Sequence, residues 1–141
     1  MKISMSNGSL EFAAGRFEPR VDRARFGGST LGMTATATPR SEGWIEYSLQ
    51  PEPGVRMTVH YHDDRLVRVL ILMRIPSDQS GEWTEALEHE RKKVHDDWLR
   101  TELGKPPYEY AWGRITSDYD PRGCVSEIIV TYRAREGAAP L

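Results

Sequence analysis

The chain has 141 residues, enough for one domain with its own core and too few for two comfortable ones. Its 19 basic and 21 acidic residues leave a net charge of −2, which argues against a nucleic-acid or membrane-surface binder held by electrostatic attraction. Cys124 is the single cysteine, so no intrachain disulfide and no cysteine-built zinc site can form.

In chain order, Asn7-Gly8 separates two short runs, Lys2 to Met5 and Leu10 to Ala13. Asn-Gly favours the positive backbone angles of a two-residue hairpin turn, so residues 1–14 are expected to form an N-terminal hairpin. Residues 1–8 lack the long apolar run of a signal peptide, and the longest apolar stretch, Val69-Leu70-Ile71-Leu72-Met73, is too short to span a bilayer. A soluble, cytoplasmic protein is expected.

From Gly15 to Arg40 the pattern fades. Pro19 precedes a short helical turn over 20–26 that Gly27-Gly28 would end. The small polar stretch from Thr34 to Gly43 reads as a mobile loop. Trp44 to Leu49, Val55 to Tyr61 and Leu66 to Ile75 each alternate as strands, separated by turns at Pro51-Glu52-Pro53-Gly54 and Asp63-Asp64-Arg65. In the third of these, Val67, Val69, Ile71, Met73 and Ile75 form one apolar face.

Residues 81–103 read as one helix, about 30 Å long, with Ser80 or Thr84 as its cap. Trp83, Leu87, Val94 and Trp98 fall on one stripe at helical spacing, and that stripe is expected to be its buried face. Tyr108 to Ile115 and Val125 to Arg133 read as a final strand pair around Asp120-Pro121-Arg122-Gly123. Residues 134–141 read as a frayed tail. The expected fold is therefore α+β: one domain over 1–141, with an antiparallel sheet of about six strands and one long helix packed on one face.

No catalytic signature stands out. His60 and His62 project the same way from a strand and could share a metal with Asp63 or Asp64. The run resembles the start of the metallo-β-lactamase pattern, but Arg65 stands where that family has its last histidine. A solvent-facing strand end is the simpler reading of the same residues. Tyr108, Tyr110, Trp112 and Arg114 are expected to share one face of a strand, with Tyr119 nearby. Exposed, such a face would suit a protein interface; buried, it would be packing. Exposure of Tyr110 and Arg114 is the expectation here.

The C-terminal third, notably residues 90–99, Leu103-Gly104-Lys105-Pro106-Pro107, Trp112-Gly113-Arg114-Ile115 and Tyr119-Asp120-Pro121-Arg122-Gly123, resembles an uncharacterised family of small bacterial α+β proteins. The resemblance implies a bacterial origin and a shared fold, and no activity. By analogy of class, such proteins are often immunity or inhibitor-like binders. The functional expectation is a non-catalytic protein-binding module without a cofactor, whose partner is a cognate protein such as a toxin domain. The alternatives are a metal-dependent hydrolase centred on His60 and His62, or a structural domain that self-associates into a homodimer through an edge strand.

Overall fold

A computed structural model describes residues 1–134; the stretch read as a frayed tail lies, beyond Ala134, outside the described residues. The chain runs β1 (Lys2–Ile3), β2 (Leu10–Phe12), β3 (Gly15–Phe17), α1 (Arg23–Gly27), β4 (Thr36–Pro39), β5 (Trp44–Glu52), β6 (Val55–His62), β7 (Arg65–Met73), α2 (Glu85–Leu103), β8 (Tyr108–Tyr110), β9 (Gly113–Asp120) and β10 (Val125–Tyr132). The fold is α+β, as expected, with seven strands in the main antiparallel sheet in the order β4-β5-β6-β7-β10-β9-β8. Strands β1-β2-β3 form a separate three-stranded sheet.

Register divides the main sheet into two unlike faces. Val59 pairs with Val69, and Val69 with Val130, so these residues point the same way, as do Met57, Ile71 and Ile128. This face is sealed, and two elements cover it. The first is the N-terminal sheet with α1: Phe26 meets Tyr47 and Tyr61 edge-on or tilted at 5.1 and 5.9 Å, and Phe17 lies 6.2 Å from Tyr132. The second is α2, which lies against β10, β9 and β7.

The opposite face carries Glu46, His60, Arg68, Thr131 and Arg114 in one cross-strand row. A second row carries Ser48, Thr58, Leu70, Ile129 and Thr116. A bulge at Val67 shifts the β6–β7 register, which brings Arg68 rather than Val67 beside His60. Among the described residues no element covers this face, and none of these side chains is sealed.

The helix departs from expectation in its orientation. It starts at Glu85 and not at the expected 81, because Thr84 is the cap, accepting from the Leu87 amide, and Gly81 is left-handed; Gly104 ends it at a positive φ of 85°. Its buried residues are Leu87, Glu88, Arg91, His95 and Leu99, whereas Trp83 is 52% and Val94 38% exposed. Burial turned toward the charged stripe because that stripe satisfies backbone groups where β7 ends. The Met73 amide donates to His95 Nε2 at 3.0 Å, and Arg91 Nη1 donates to the Met73 carbonyl at 2.6 Å.

Three further expectations are corrected. The Thr-rich segment read as a mobile loop contains edge strand β4, paired with β5 from Thr36↔Ser48 to Pro39↔Ile45. The first hairpin closes through a longer loop over 4–9, since Ile3 pairs with Leu10; position 8 there requires glycine, both for its φ of 75° and because a side chain would collide with the Trp112 ring. Finally, residues 108–115 are not one strand. Tyr110 pairs with Gly113 across a two-residue turn, Ala111-Trp112, so the run folds back on itself as the β8–β9 hairpin.

Candidate binding groove

That hairpin splits the predicted aromatic–arginine face. Tyr108 is buried on the covered side, its hydroxyl donating to the Gly104 carbonyl at 2.9 Å. Arg114 pairs with Glu109 and stands exposed on the uncovered side. Tyr110, half-buried, stacks on Trp112 with centroids 5.2 Å apart, and Trp112 in turn meets Tyr132 at 5.4 Å. Trp112 Nε1 donates to the Met5 carbonyl and the Tyr132 hydroxyl to the Gly8 carbonyl, which clamps the 4–9 loop against the hairpin. Tyr119 lies elsewhere, its ring 4.8 Å from His89 on α2.

The Trp112–Tyr132 end of the aromatic wall that Tyr110 begins borders a concavity. Two adjoining cavities, of about 390 and 600 Å³, share Pro19, Arg20, Tyr132, Arg133 and Ala134 and form one groove. Arg20, Arg25, Arg65 and Arg133 line it, against Asp22 and Asp64. Both aspartates are engaged. Asp22 caps α1 by accepting from the Arg25 amide at 2.8 Å, and Asp64 sits 3.7 Å from Arg23. Arg20 and Arg65 also have partners within the chain. The lining nevertheless carries four guanidinium groups against two carboxylates, over a floor that includes Val21 and Leu66. A concave positive site with an apolar floor focuses potential on an anionic, partly apolar ligand.

Sequence reasoning missed this groove, although Tyr110 and Trp112 point to its wall. The signal was the density of arginine around Pro19, which only the fold brings beside Arg65 and Arg133.

The metal-site residues do not converge. His60 Nδ1 accepts from Arg68 Nε at 2.8 Å, and its Nε2 lies 3.8 Å from Glu46. Burial and the Arg68 charge hold its pKa below the usual histidine value, so the ring is neutral with Nδ1 occupied. His62 Nε2 is 3.0 Å from the Glu42 carbonyl, its ring packs on Trp44, and Asp64 turns toward Arg23. Among the described residues no group of three His, Cys, Asp or Glu side chains is placed to share a metal ion. Likewise among them, no helix is long and apolar enough to cross a membrane. Cys124 is exposed at the β9–β10 turn, its sulfur 3.7 Å from the Pro121 carbonyl.

Comparison with family models, curated proteins and solved structures gives no match.

Proposed function

We propose that this chain is a non-catalytic protein-binding module of the immunity or inhibitor type, whose arginine-lined groove receives an acidic segment of its partner. One observation supports the reading most: four arginines gather at one groove in a chain whose net charge is −2. The stacked Tyr110–Trp112 pair beside them supplies rigid aromatic contact area, which costs little entropy to order. Hydrolysis would require a base open to substrate. His60, the best-placed histidine, has one ring nitrogen taken by Arg68 and the other facing Glu46.

The test uses a fluorescent peptide of alternating glutamate and tyrosine. The expected result is binding that weakens as salt rises, since exposed charges are screened over about 10 Å at 0.1 M. Arg25→Glu/Arg133→Glu should weaken it at least about tenfold, or about 1.4 kcal/mol, with an unchanged thermal melt. Affinity indifferent to both salt and the double variant would reject the groove as the binding site.

A further inference from the structure

We propose that the uncovered face of the seven-stranded sheet is a homodimer interface, on which a second copy of this chain docks face to face about a two-fold axis along β7. The inference is independent of the groove, which lies at the other side of the sheet's end.

Charge is sorted across this face. On the β5–β7 side stand Arg40, Arg56 and Arg68, with Glu46 tied to Arg40 at 3.0 Å. On the β10–β8 side stand Glu127, Asp118, Asp120 and Glu109, with Arg114. Between them β7 and β10 present Leu70, Leu72 and Ile129, all half-buried. A two-fold axis along the strands lays the basic side of one copy over the acidic side of the other. Arg56 then falls opposite Glu127 and Glu46 opposite Arg114, while Leu70 and Leu72 meet their own counterparts. Arg68 meets its like, but its guanidinium is drawn aside by His60 and by the Trp44 ring, 5.9 Å away. Aligned face-to-face packing of two sheets is a standard geometry, with strands within about 30° of each other.

Glu127 gives independent support. It pairs directly across strands with Asp118, a like-charge arrangement that is unfavourable in an isolated sheet. Burial and then nearby Asp120 push its carboxyl above the usual range, against a smaller opposing pull from Arg68. A guanidinium from a second copy would offset the carboxylate repulsion. The area also suffices: strands about 4.8 Å apart with a rise of about 3.3 Å per residue give this face about 800 Å², what each partner contributes to a standard interface. The sheet edges offer less. Edge strands β4 and β8 have four and three residues, with Pro39 ending one and Pro106-Pro107 preceding the other.

Sedimentation equilibrium on the full chain, from about 1 μM to about 1 mM, tests this in the range expected of modest interfaces. The expected mass rises from the 16.1 kDa of one chain to twice that value. Arg56→Glu alone and Glu127→Arg alone should each weaken the dimer at least about tenfold, and the combined swap should restore it. Thermal melts check that each variant folds. Should Glu127→Arg fail to fold, the exposed pair member Arg114 provides the same cycle through Arg114→Glu, Glu46→Arg and their combination. A chain monomeric throughout, or a dimer unmoved by these charges, would overturn the proposal.

Discussion

The two covers on the sealed face are built from opposite chemistry. The N-terminal cover holds by aromatic burial: Phe17, Phe26, Tyr61 and Tyr132 interlock with almost no charge among them. Helix α2 holds by an ionic net whose Arg91 and Glu88 are buried. Arg91 donates to Asp78, Glu88 and the Met73 carbonyl; Glu88 accepts from the Ser126 amide at 2.9 Å; and the Ser126 hydroxyl donates to the Glu88 carbonyl at 2.5 Å. An apolar cover tolerates small adjustments of geometry and is indifferent to pH. An ionic one fixes a single seating, because each group left without its partner costs more than the bond was worth. The N-terminal cover thus supplies bulk stability, and α2 supplies register.

The contrast can be broken from either side. Phe26→Ala should cost the most, about 3–5 kcal/mol, and by the same amount at pH 5 and pH 8; a melt shift that depends on pH would contradict an apolar seating. Arg91→Ala should cost about 3–4 kcal/mol by stranding Glu88 and Asp78, and Arg91→Lys, without the planar fork, should recover only part of it. Full recovery by lysine in urea unfolding would reduce the net to simple charge balance.

Of the two covers, acid should act on α2. Burial, then the Arg91 charge, pushes His95 from 6.5 down to about 4, so the folded ring is neutral, and its Nδ1 is buried without a partner. Between those values the unfolded chain binds the extra proton. Stability is therefore complete above about pH 6.5 and falls toward pH 4, by about 3 kcal/mol in all. Asp78, held below the usual carboxylate range chiefly by Arg91, contributes above its ordinary 3.8 and loses that contribution as pH falls further. His95→Gln retains an acceptor for the Met73 amide without titrating, and should flatten the slope between pH 6.5 and 4. An unaltered slope in its melts would remove His95 as the cause. The smallest effect belongs to the outward face: Val94→Ala should change stability by no more than about 0.5 kcal/mol, and a larger loss would mean that α2 sits differently.

The end of α2 was legible in its terminal glycine, a local signal; its start was expected at 81, four residues early, because Ser80 and Thr84 both have the chemistry of a cap. Its inward face was not legible. Glu88, Arg91 and His95 read as a solvated stripe unless one knows that β7 ends beneath them with unpaired backbone groups, which is a tertiary fact. One clue lay in the spacing, since Leu87, Arg91, His95 and Leu99 recur every four residues with leucine at both ends. The aromatic hairpin failed for a different reason. Alternation continues through Ala111-Trp112, and only close packing at Gly113, where a side chain would run into the Thr131 carbonyl, reveals the turn. Strand β4 was hidden because threonine and proline at a sheet edge have the composition of a loop.

The clamp of Trp112 and Tyr132 on the 4–9 loop sets an order of events during synthesis. The loop leaves the ribosome before its partners, which lie 107 and 124 residues downstream. Tyr47 and Tyr61 emerge early enough to shelter Phe26, but Phe17, packed on Phe26, waits for Tyr132 on its other side. Until the β9–β10 hairpin is made, the newborn chain carries incompletely covered aromatic residues upstream of it. That interval, rather than the finished molecule, is when it most needs a chaperone.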